Sequence, residues 1–146
     1  MTQQELNETL RLHAAWLAKE PDGKRADLTH ADLAGVDMAG ANLTGADLTG
    51  ADLTGAQMSG ARMTYANMFD ANLTGANLRG AHMTCANLTG ADLTGANMAG
   101  ADFTGANLTG ADLTGTNMTG ANLTDADFTG VDLTDAYLAD AIGRQI

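Results

Sequence analysis

His82 and Cys85 stand three residues apart, a spacing at which an imidazole and a thiolate can share a zinc ion. Two ligands without a second pair make only half a site. His13 and His30 lie far along the chain, and Cys85 is the single cysteine. The same stretch carries Arg62, Tyr65, Phe69, Arg79, His82 and Cys85, in a chain otherwise poor in aromatics and bases. Arginine and aromatic side chains are favoured anchors of protein interfaces. These six residues form a candidate partner patch, weighed against drift at tolerant outward positions. A second candidate is the row Asp32, Asp52, Asp92, Asp112 and Asp132, in which Asn72 fills a gap. Carboxylates at regular intervals resemble a row of phosphates, although free exchange of Asp and Asn would also produce such a row. Their mutual repulsion predicts raised pKa values. Calcium would require alternating ligands in a bent loop, and none is present. Nucleophile–base pairs and phosphate-cradling glycine loops are also missing. The expectation is therefore a protein without catalytic residues, metal or cofactor.

The element that must position these residues is a five-residue repeat running from Ala26 to Asp140 without insertion or deletion. Every fifth residue is Leu, Met or Phe. Two positions earlier stands Ala, or rarely Val or Thr. Just before the large apolar residue stands Asp or Asn in nineteen of 23 units. A period of five fits neither a helix nor a continuous strand. Apolar residues two apart share one face of an extended segment, and the Thr-Gly that usually follows suits a turn. Each unit thus reads as a short extended piece and a corner, with Ala and Leu inside. Sorting the units by every fourth gives an all-Leu series, Leu33 to Leu133, and a Met-rich series beginning at Met38 and Met58. This twenty-residue super-period predicts four sides per turn. The 23 units then make about 5.75 coils, or about 28 Å of rod at strand spacing. On that arrangement Arg62 stacks on His82 and Tyr65 on Cys85. A straight rod also offers no pocket of ligand size.

Composition limits the partners. The repeat block holds fourteen acids against Arg62 and Arg79, whereas the first 25 residues are neutral overall. A field of this sign repels nucleic acid and membranes, and suits a partner with a basic surface or simple solubility. A lone cysteine permits a reducing compartment. No apolar run is long enough to span a membrane, and charges interrupt the N-terminal stretch where a signal peptide would need an apolar core. A cytoplasmic location is expected.

The ends differ. Thr2 and Glu5 match a capping box, and Leu6, Leu10, His13 and Leu17 recur at helical spacing. This predicts an amphipathic helix over 3–19, ended by Glu20-Pro21-Asp22-Gly23 and folded over the first coil as a cap. His13 is expected to pack as a structural residue. The organisation is therefore 1–25 capping helix and turn, 26–140 solenoid and 141–146 tail. After Leu138 no second capping helix is evident. An open last coil invites association, so either an end-to-end homodimer or a tucked tail containing Ile142 and Ile146 is expected.

Units such as Ala46-Asp47-Leu48-Thr49-Gly50 and Ala106-Asn107-Leu108-Thr109-Gly110 resemble the pentapeptide repeat family, and 23 tandem copies make the likeness specific. The resemblance implies an all-β solenoid: a right-handed quadrilateral β-helix with four pentapeptides per coil, here with an N-terminal α-helical cap. It implies a binding or scaffold protein acting through its acidic rod surface. Some family members are similar to B-form DNA in width and charge, and bind DNA gyrase or topoisomerase IV as DNA mimics. That alternative fits the charge. The rod is short for it, without inserted loops or an evident C-terminal dimerisation module. An idealised or engineered solenoid without a partner is the third reading.

Overall fold

The computed structural model describes residues 1–144. From Asp27 onward the chain winds as a coil in which each bridge is parallel and joins residue n to residue n+20. The bridging residue is the one just before the large apolar residue, from Asp27↔Asp47 to Asn122↔Ile142. One residue per unit bridges, so the extended pieces are too short to make continuous strands.

The backbone explains both the register and the five-residue unit. Leu88 donates its N–H to the Asn107 carbonyl at 2.7 Å, and Gly90 donates to Thr109 at 2.9 Å, both toward the next coil. Asn87 donates back to Ala66 in the preceding coil at 3.0 Å. The Ala91 N–H returns to the Leu88 carbonyl at 3.0 Å and closes the corner. Such a turn needs positive φ at its third residue, which glycine adopts without steric cost. The side-chain oxygen of Asp or Asn then pins the corner. Asp47 Oδ1 accepts from the Thr49 N–H at 3.1 Å and from its hydroxyl at 2.6 Å. Only one oxygen is used, so Asp and Asn serve the turn equally well.

Inside the coil, each Ala-position and Leu-position side chain from Ala46 to Leu123 is buried. Each buried Leu or Met contributes about 1.5–3 kcal/mol by leaving water. Thr116 takes an Ala position. Its buried hydroxyl donates to the Leu113 carbonyl at 2.8 Å, so the polar atom is satisfied.

Helix α1 (Gln3–Leu17) closes the first coil. Its capping box is present, with the Thr2 side chain accepting from the Glu5 N–H and the Glu5 carboxylate accepting from the Thr2 N–H. The helix ends two residues short of the expected range 3–19, and the chain turns away at Lys19 with φ +59. Its side chains stand in for a missing coil. Gln3 Nε2 donates to the Asp37 carbonyl at 2.9 Å, and Gln3 Oε1 accepts from the Asp37 N–H at 3.0 Å. One side-chain amide thus makes both bonds that a preceding backbone would make. The Met1 ammonium donates to the Asp32 carbonyl at 2.8 Å. The opposite end has no such cover among the described residues. Phe128, Val131, Leu133 and Leu138 are half-buried, and the N–H groups of Phe128, Leu133 and Leu138 have no partner there. Ile142 pairs through its backbone with Asn122, while Ile146 lies outside the described residues.

Candidate functional site: a strained corner and an acidic column

Arg62 and His82 are bridge partners one coil apart, both exposed, in a column that begins at Asn42 and continues to Asp102. At the adjoining corner Tyr65 and Cys85 are also one coil apart, and the Tyr65 N–H donates to the Thr84 carbonyl at 3.1 Å. Both hold the corner conformation that glycine usually supplies, with φ +58 at Tyr65 and +56 at Cys85. Asp or His tolerates this region better than a bulky side chain does, and it costs an L-residue roughly 1–2 kcal/mol. The Cys85 Sγ leans over Gly105, at 3.3 Å from where a β-carbon would stand, so that glycine has little room to grow. Tyr65 is 68% exposed.

The other two candidates lie further round. Phe69 is 41% exposed on the next side, beyond the Tyr65 corner. Arg79 sits on the preceding side, ahead of the Gly80 corner, in register with Ser59 and Ala99. The six residues therefore wrap parts of three sides, with Arg62, His82, Tyr65 and Cys85 at the centre. The one ion pair among the described residues is Arg11–Glu8 on the helix, so neither Arg62 nor Arg79 is engaged by a carboxylate there. No group of three potential metal ligands converges among the described residues.

The acidic row is a true column, with Asp32, Asp52, Asn72, Asp92, Asp112 and Asp132 bridging in sequence. The expected rise in pKa does not occur where a shift is resolved. Asp52, Asp92 and Asp132 are lowered, first by the Thr54, Thr94 and Thr134 hydroxyls and next by the N–H groups of the same threonines. Local hydrogen bonds to the charged form outweigh repulsion across a solvated surface. Asparagine columns behave differently. Asn87 Nδ2 donates to Asn67 Oδ1 at 2.9 Å, and Asn67 Nδ2 donates to Thr49 Oγ1 at 2.8 Å, each binding coil to coil. A carboxylate cannot donate. Asn at this position therefore adds a coil-to-coil donor that Asp lacks.

Tyr137 escaped the sequence reading, and Ile142, read there only as part of a tail, stands exposed. Tyr137 is 68% exposed and Ile142 is 59% exposed on adjoining sides near the open end. Both replace Asp or Asn in the bridging column, the same signal that singled out Arg62 and His82. Gln3 gave no such signal, since a lone glutamine near a helix start has no pattern to break.

A family model of pentapeptide repeats matches residues 26–64, 71–110 and 106–142, in eight copies. The chain belongs to the pentapeptide repeat family. Among solved structures it is similar to the pentapeptide repeat protein Rfr23 from the cyanobacterium Cyanothece 51142, at 35% identity and TM-score 0.58, over 58% of each chain. The match thus spans less than two thirds of that relative. It is also similar to a pentapeptide repeat protein from the Arabidopsis thaliana thylakoid lumen, at 38% identity and TM-score 0.44, over 74% of this chain and 72% of that one. The plasmid-mediated fluoroquinolone resistance protein QnrB1, trypsin-treated, matches at 22% identity and TM-score 0.33, over 75% of this chain and 65% of that one. No curated protein matches the sequence. No helix among the described residues is long and apolar enough to cross a membrane.

Proposed function

We propose that this pentapeptide repeat protein is a non-enzymatic cytoplasmic scaffold that holds a protein partner with a basic surface against its acidic rod. The patch centred on Arg62, Tyr65, His82 and Cys85, and extended by Phe69 and Arg79, gives the contact its position. The observation that carries this reading is the pair of strained corners. Tyr65 and Cys85 hold positive φ where glycine would relieve it, and strain retained on a surface is a pointer to use. The finer architecture belongs to the same reading: a right-handed quadrilateral β-helix of about 5.75 coils, supported by the n-to-n+20 pairing. The double variant Arg62→Ala/Tyr65→Ala tests the patch. It should fold normally and lose partners that the unaltered protein retains from a lysate. Retention of every partner would remove the patch from consideration.

A DNA-mimic inhibitor or protector of gyrase or topoisomerase IV is the second reading, supported by the Asp32-to-Asp132 column. Asn can take the same turn position, and hydrogen bonds from threonine favour the charged form at three of these carboxylates. In a gyrase supercoiling assay at two salt concentrations, a mimic should inhibit or protect, with an effect that fades as salt screens it. Asp52→Asn/Asp92→Asn/Asp112→Asn should abolish that effect while leaving the fold intact. No effect at tens of micromolar would leave the scaffold reading, in which homodimerisation through the open last coil remains part of the proposal, or a solenoid with no partner.

A further inference from the structure

His13 is fully buried between α1 and the first coils, and both its ring nitrogens are used. Nδ1 accepts the Ala26 N–H at 2.9 Å, so it carries no proton. Nε2 faces the Thr44 carbonyl at 3.1 Å, so it carries one. In the regular coil a corner N–H fills that carbonyl, as Tyr65 does for Thr84. The neutral Nε2–H tautomer is the one form that satisfies both contacts. A second proton, on Nδ1, would aim donor at donor at a fully buried ring. From α1, Trp16 stacks on the ring with centroids 5.3 Å apart. From the connecting segment, Arg25 donates Nε to the Gly45 carbonyl at 2.6 Å, and its charge bears on the imidazole. The first coils present backbone, Ala26 N–H and Thr44 C=O, to the two nitrogens.

We propose that His13 is an acid-released latch, whose protonation undocks the N-terminal helix and lays open the edge of the first coil. The groups then released are those the cap occupies: the carbonyls of Asp32, Asp37 and Thr44, and the N–H groups of Ala26 and Asp37. Burial first, and the Arg25 charge in the same direction, hold the docked imidazole below its ordinary value. The undocked helix returns His13 to about 6.5. The undocked form therefore binds the proton more readily. The latch is at full strength above about pH 6.5 and weakens as pH falls below it, by at most about tenfold in the docking equilibrium per pH unit.

Amide exchange on the full chain between pH 8 and pH 5, corrected for intrinsic rates, tests the latch. Protection at Ala26 and Asp37 should fall by up to tenfold per unit below about pH 6.5, while Asp92 in mid-rod stays protected. His13→Gln cannot titrate but can both donate and accept, and should hold protection level across the range. Protection that is flat in the unaltered protein, or that falls equally in His13→Gln, would overturn the proposal. Should that variant fail to fold, the His13 ring signal of the unaltered protein decides. Protonation of that ring across the range with cap protection unchanged would also overturn it.

Discussion

At the scale of residues, what sets this chain apart is where it declines to use glycine. All 23 corners from His30 to Asp140 have positive φ, and seven of them are not glycine. Five of the seven are Asp or His, which bear the conformation comparatively well. Tyr65 and Cys85 do not belong to that group. Tyr65→Gly and Cys85→Gly should each stabilise the fold, by about 1 kcal/mol, as relief of steric strain outweighs the added freedom of the unfolded chain. Urea denaturation measures this. A midpoint at or below that of the unaltered protein would show that the corners are not strained. The positions of the patch residues were legible in the sequence, because each breaks a pattern that its neighbours keep. Their strain was not, since it depends on a dihedral angle that a residue name does not state. The ionisation of Asp52, Asp92 and Asp132 was misjudged for a similar reason: the threonine two positions on was read only as suiting a turn, and it is the hydrogen-bond donor that lowers the carboxylate's pKa.

At the scale of the element, the five-residue unit is almost wholly local. Its turn and its two inward residues could be read from one pentapeptide, and the coil register followed from the super-period; the pinning of the corner by Asp or Asn was not read. The cap was legible only as a helix. That Gln3 copies a missing backbone depends on a docking geometry between residues 34 positions apart. The narrow interior predicts the effect of overfilling. Ala91→Leu places a larger side chain where Ala is 1% exposed between packed coils, and should cost at least about 1–3 kcal/mol. The melting temperature should fall accordingly. An unchanged value would contradict the inward placement.

At the scale of the whole molecule, the charge of the acidic rod is tied to the stability of the fold in acid. Asp52, Asp92, Asp102 and Asp132 are held below their ordinary value of 3.8, with a threonine hydroxyl the leading cause in each. The folded state therefore binds fewer protons in acid than the unfolded chain does. Their contribution is complete above about pH 3.8 and is lost as pH falls through the lower, folded values. Thermal unfolding followed from pH 6 to pH 3 should show that loss, and Thr94→Val should flatten part of it. An acid limb identical in the variant would assign the loss elsewhere. The n-to-n+20 register carries one more consequence. A chain that slipped by a full coil while winding would still lay an inward Ala on Ala and a large apolar residue on a large apolar residue over most of its length. The docking of Gln3 on Asp37 ties the start of the coil to one place, so winding that begins at the cap would avoid the slip. Beyond that point nothing in the packing counts turns. Gain or loss of a twenty-residue block would keep the n-to-n+20 register and renew only the interface at the junction, so rod length can change in whole coils.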